Sequence, residues 1–151
     1  MISSVGAMVA MAAGILFMGA RLARPRTVAL SVCVYSYLDR PIFEILVDGK
    51  VDEVSGAYPE TGGGTITGVR FKLGPKRVTW RLSGPPGAPR NGETVESANQ
   101  VALDDIVPGA RYLAVHIYPD DTVELLTSVQ RPRASPRGEK EIARMKAERR
   151  E

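Results

Sequence analysis

Residues 61–82 read TGGGTITGVRFKLGPKRVTWRL, and the residues after the glycine triplet decide the fold. A glycine triplet can open a phosphate-binding loop. That needs G-x-x-x-x-G-K-[ST] or a dinucleotide fingerprint, each running straight into a helix. Here residues 65–73 alternate instead. Ile66, Gly68, Arg70 and Lys72 fall on one side, and Thr67, Val69, Phe71 and Leu73 on the other. This is the period of a strand. Gly74-Pro75 reads as a turn, after which Val78, Trp80 and Leu82 form one face of a second strand opposite Thr79 and Arg81. The large apolar Trp80 is expected in the core. The glycines become a flexible entry to a strand, where positive φ and close backbone approach are tolerated.

The same reading extends in both directions. Residues 27–37 (TVALSVCVYSY) are rich in β-branched and aromatic side chains, and an apolar run comes next at 42–47. Asp48-Gly49 is a hairpin-turn dipeptide, with a return strand expected at 50–54. Further short strands are expected at 100–103, at 112–118 with Leu113, Val115 and Ile117 inward, and at 122–129. The fold class is therefore all-β: an antiparallel β-sandwich or open barrel of seven or eight short strands. Residues 83–99 (SGPPGAPRNGETVESAN) form a long polar connection, either functional or a solvated linker.

The two ends differ from this middle. Residues 2–20 carry no charge and are followed by Arg21, Arg24 and Arg26. As a helix, 19 residues reach about 28 Å, close to the thickness of a bilayer. No Lys or Arg precedes the run, and no good small-x-small site comes after it, so an uncleaved anchor is expected rather than a cleaved signal peptide. The basic flank after the run favours holding the domain in the cytoplasm. Residues 131–151 carry eight Lys/Arg and four Glu. Ser135-Pro136 can cap and start a helix there. With only Ile142 and Met145 as an apolar pair, that short charged helix is expected to fray in solvent. Three zones result: an anchor with its basic flank at 1–26, a β domain at 27–130 and a charged, partly helical tail at 131–151. The middle zone holds nine bases and thirteen acids, so the excess positive charge belongs to the ends. A nucleic-acid binder would carry its basic stripe on the folded domain, and nucleic acid is not an expected partner.

No catalytic set stands out. His116 is the one histidine and Cys33 the one cysteine. The chain has no G-x-S-x-G elbow, and one Cys builds neither a disulfide nor a cysteine zinc site. Cys33 lies in a strand-like run, where a small buried hydrophobe is the plain reading and a lipidated cysteine the other. The pairs Asp104-Asp105 and Asp120-Asp121 suit turns better than metal ligation. The expectation is a non-enzyme without cofactor, metal or small-molecule substrate. An enzyme would need Asp39, Arg40 or His116 to converge in one pocket.

An ordered set of residues carries a resemblance. It runs from Tyr35-Ser36-Tyr37-Leu38-Asp39-Arg40 to Val47-Asp48-Gly49, then the glycine triplet, then Pro75, Lys76 and Trp80. It ends with the run from Leu113 to Asp120 (LAVHIYPD). Over roughly residues 28–130 the chain resembles a proteobacterial domain-of-unknown-function family of small envelope proteins, many of them lipoproteins. Members are often encoded beside type VI secretion phospholipase effectors, where they look like cognate immunity proteins. Where members often have cysteines after the glycine stretch, this chain has Val69 and Phe71, and it lacks a good lipobox. The resemblance implies an inner-membrane protein, held by residues 2–20 with its domain in the periplasm. Its implied partner is a lipase-type effector whose active site it occludes. On that reading Tyr58, Glu60, Arg90, Glu93 and Glu96, on polar loops, are the expected partner contacts. A structural or tethering module of the envelope, without toxin neutralisation, is the alternative.

Overall fold

The computed structural model describes residues 26–50 and 64–151. Among these described residues nine strands lie in three sheets, with one helix. The strands are β1 (Thr27–Ser36), β2 (Ile42–Val47), β3 (Thr65–Lys72), β4 (Gly74–Lys76), β5 (Val78–Leu82), β6 (Thr94–Glu96), β7 (Val101–Leu103), β8 (Tyr112–Ile117) and β9 (Val123–Ser128), followed by helix α1 (Pro136–Glu148). The four-stranded sheet has the order β3-β1-β8-β9, the three-stranded sheet β2-β5-β6, and β4 pairs with β7. All pairings are antiparallel except β1 with β8, which run parallel from Ser31↔Tyr112 to Ser36↔Ile117. The all-β expectation holds, with nine strands rather than seven or eight and with one parallel pair. Gly74-Pro75, expected as a turn, opens the three-residue strand β4, and the expected linker at 83–99 contains β6.

One core joins the sheets. Leu30, Val32 and Val34 of β1 meet Leu113, Val115 and Ile117 of β8, and Ile42, Ile45 and Val47 of β2 meet Val78, Trp80 and Leu82 of β5. Trp80 lies in that core as expected, its Nε1 being the one buried side-chain polar atom without a partner among the described residues. Cys33 is buried, with its sulfur 3.4 Å from the Thr65 hydroxyl.

Two bulges break the expected alternation. Between Leu30↔Val69 and Val32↔Ile66, Thr67 and Gly68 together stand against Ser31, and Gly68 has φ +70°. The extra residue shifts the phase of β3. Ile66 therefore packs on the same core as Val69 and Phe71, contrary to the simple alternation. In β2 the register shifts between Ile42 and Glu44, leaving Phe43 as the extra residue. The Asp48-Gly49 turn forms with positive φ at both residues and a bond from Lys50 N to Val47 O. Its expected return strand beyond Lys50 lies outside the described residues, as does the expected anchor at 2–20. Among the described residues no helix is long and apolar enough to cross a membrane.

The tail does not fray. Ser135 Oγ accepts from Gly138 N at 2.9 Å and Pro136 opens α1, a sequence-readable start. The helix then packs on the outer face of the four-stranded sheet, burying Gly138 and Met145 over Tyr37 and Tyr118. Met145, 7% exposed, contributes about 2 kcal/mol by burial. The apolar pair looks too small in the sequence because the sheet's own contribution is hidden there. Ala114, His116 and Tyr118, alternate to the inward residues of β8, are buried as well.

Candidate functional site

The segment from Ser83 to Asn99 is pinned, and one residue does most of it. Arg40, between β1 and β2, donates from Nε to Ser83 O (2.9 Å), from Nη1 to Pro89 O (2.8 Å) and from Nη2 to Asn91 Oδ1 (2.9 Å). A guanidinium is a rigid planar fork of donors, so one side chain fixes three points of the loop. Asn91 Nδ2 adds a bond to Pro85 O at 2.8 Å. Gly87, Arg90 and Gly92 take positive φ and turn the chain back. Gly92 N and Glu93 O then join the Leu82 backbone at the start of the β5–β6 pairing.

Beside this loop lies the outer face of the three-stranded sheet. Glu44, Arg81 and Thr94 stand in one row, and Leu46, Thr79 and Glu96 in the next. Phe43, turned out by the bulge, is 52% exposed. The Arg81 guanidinium lies 5.3 Å from the centre of its ring and 3.9 Å from the Glu44 carboxylate. A hollow of about 250 Å³ between Phe43, Arg81, Gly84, Asn91 and Gly92 continues into one of about 290 Å³ beside Asp39, Arg40 and Pro85. An exposed aromatic under an arginine, on a rigid frame, has the composition of a protein-binding hot spot.

The expected contacts fall on this surface in part. Arg90 and Glu93 pair at the loop tip through two 2.8 Å bonds, which hold the carboxyl of Glu93 below its ordinary range. Glu96 lies on β6 at the other end of the sheet face, 3.0 Å from Arg77 Nε. Tyr58 and Glu60 lie outside the described residues. These exposed ion pairs contribute little to folding and can exchange partners cheaply. A cleft of about 800 Å³ lies beyond Glu96, but its charges are paired with each other. Both oxygens of Asp48 are taken, by Lys76 Nζ and Arg77 N.

Phe43, Arg81 and Arg40 are not among the contacts expected from the sequence. Alternation groups Phe43 with Ile45 and Val47, which are buried, and only the bulge turns Phe43 outward. No sequence signal marks that bulge. Arg40 stands out in the sequence as a motif residue, without a sign that its work is to hold a loop about fifty residues away.

Asp39, Arg40 and His116 do not converge. Asp39 and Arg40 border the surface hollow, whereas His116 is 1% exposed beneath α1. Burial pushes the imidazole pKa down to about 4, against a smaller upward pull from Glu124. Among the described residues no three His, Cys, Asp or Glu side chains gather as metal ligands would. No protein-family profile, curated protein or solved structure matches the chain.

Arg40→Lys is expected to free the loop selectively. An ammonium carries its three donors on one nitrogen and cannot span acceptors now reached by three separate nitrogens, so amide exchange across residues 84–92 should rise by about tenfold while β1 and β8 stay protected. Hydrogen-exchange mass spectrometry reads both regions in one experiment.

Proposed function

We propose that this chain is a membrane-anchored immunity protein that binds a type VI secretion effector of phospholipase type and covers its active site. The observation that carries the binding part is the Arg40-pinned loop beside exposed Phe43 and Arg81. A surface already held in shape loses little conformational entropy when a partner arrives. The identity of that partner rests on the ordered residue pattern and on the uncharged run at 2–20, which would anchor the domain at the inner membrane. An effector secreted into the periplasm requires the domain on that side, against the bias of Arg21, Arg24 and Arg26.

The test is to co-express the effector encoded beside this gene, directed to the periplasm, with and without the full chain. Protection by the chain is expected, and equal killing in both strains would end the proposal. Phe43→Ala should then weaken effector binding by about thirtyfold, the loss typical of a hot-spot aromatic, without changing folding. Titration calorimetry on the detergent-solubilised full chain measures it. Unchanged affinity would move the interface elsewhere.

A further inference from the structure

The outer face of the four-stranded sheet carries an aromatic ladder. Tyr35 stacks on His116 with ring centres 5.1 Å apart, His116 on Tyr37 at 5.9 Å, and Tyr37 on Tyr118 at 5.3 Å. The segment leading into α1 is tied to this ladder rung by rung. The Tyr35 hydroxyl donates to Pro132 O at 2.6 Å. Ser135 N donates to the Tyr37 oxygen at 3.3 Å, and Tyr37 Oη lies 2.9 Å from His116 Nδ1. A neutral Nε2–H imidazole leaves Nδ1 free to accept the Tyr37 proton while the Tyr37 oxygen accepts from Ser135 N. Tyr118 donates its own proton to Glu124 Oε1 at 2.8 Å, so the hydroxyl of Ser135 donates to Tyr118 at 2.5 Å. The same Ser135 oxygen caps α1 through Gly138 N. His116 is thus two hydrogen bonds from the residue that starts the helix.

We propose that residues 131–148 form a strap released by proton uptake at His116, while the β core beneath stays folded. A proton from solvent binds Nδ1 and creates an imidazolium in a buried site. The Nδ1–H then donates to the Tyr37 oxygen beside the Ser135 N–H, so the Tyr37 hydroxyl loses Nδ1 as its acceptor and must rotate. The geometry that seats Ser135 is lost, and with it the cap of α1. Leaving the sheet lets the imidazolium reach water.

The charged groups around His116 bear on this from every side. Tyr35 faces it from β1 and Tyr37 from just past the end of that strand, and burial raises the Tyr35 pKa, so that ring stays neutral in acid. Glu124 of β9 attracts the imidazolium, and the tyrosine faces add a weaker attraction. Both oppose release without cancelling the burial cost. Arg131 lies near Tyr35 at the entry of the strap. On its outer side Arg137 covers the Tyr118 ring at 4.0 Å and bonds Asp120 and Thr122. The bonds of Asp120, first from the Thr122 hydroxyl, hold its carboxyl below the ordinary range. That pair therefore survives the release window, but it is exposed and holds weakly.

Hydrogen exchange of the full chain in mild detergent, corrected for the intrinsic pH dependence, tests the proposal. A ring pKa of about 4 in the docked state, against an ordinary 6.5, implies that strap opening rises about a hundredfold between pH 7 and pH 4. Amides of 138–148 should lose protection by that factor while those of 113–117 keep theirs. His116→Gln retains an acceptor that does not titrate here, and its strap should open equally at both pH values. Should that variant fail to fold, His116→Phe keeps a ring in the stack that cannot titrate, and its strap should likewise open equally at both pH values. Glu124→Gln should leave the response intact. Simultaneous loss of protection in strap and core, a response that persists in His116→Gln, or one abolished by Glu124→Gln would each overturn the proposal.

Discussion

Replacing Gly138 by alanine is expected to lower stability by about 2 kcal/mol and to weaken the helical circular-dichroism signal. The sign is informative, because alanine in place of glycine inside a helix ordinarily gains up to about 1 kcal/mol. Gly138 is the third residue of α1 and sits directly over Tyr37. A methyl group there would overlap the ring and the hydroxyl of Tyr37. That ring cannot swing aside, since it is fully buried and stacked on both His116 and Tyr118. The helix must lift instead, surrendering Met145 and the Ser135 cap. Urea denaturation followed by the emission of Trp80, the one tryptophan, gives the stability of the β core and its lid together. A stabilised Gly138→Ala protein would show that Tyr37 has room to move.

A second large effect is expected from pH alone. The pKa of His116 falls from an ordinary 6.5 to about 4 on folding, so the unfolded chain binds the proton first. Stability is then full above pH 6.5, falls as the pH drops, and stops falling below about 4. The depression corresponds to a ceiling of about 3 kcal/mol, approached less closely where α1 lets go before the core unfolds. Glu93, Asp48 and Asp120, all held below the ordinary carboxylate range, begin to add their losses as the pH falls below about 5. For Asp48, burial pulls upward but is outweighed by the Arg77 N–H and the Lys76 ammonium. The upper part of the window, from 6.5 to about 5, therefore belongs to His116. Urea midpoints measured across it should slope in the parent chain and flatten in His116→Gln. A slope kept by that variant would assign the effect to another group.

Much of the strand layout is legible in residue order. The bounds of β2, the inward sets of β5 and β8, the Asp48-Gly49 turn and the Ser135-Pro136 helix start all arise from local chemistry. The illegible features come from contacts distant in sequence. Gly68 and Phe43 sit at bulges that depend on the partner strand, and each shifts the pattern by one residue. His116 looks solvent-facing because the alternation of β8 shows one apolar face, while its other face is covered by a tail of mostly charged residues. Gly138 reads as a weak point in that helix, yet it is the only residue small enough to pass over Tyr37. At the surface, Arg90, Glu93 and Glu96 are legible as loop polarity, whereas Phe43 and the fork of Arg40 are not.

The parallel pairing of β1 with β8 also sets a timetable. Tyr37 and His116, bonded in the finished protein, are 79 residues apart. At about 5–20 residues per second of synthesis, β1 emerges roughly 4–16 s before the strand that will lie beside it. Through that interval Val28, Leu30, Val32 and Val34 form an apolar strand with an unclaimed edge. Only β3 can reach it early, and only on one side. The chain thus leaves the ribosome with an exposed β segment until its eighth strand is made, and a pairing this distant in sequence makes for slow folding.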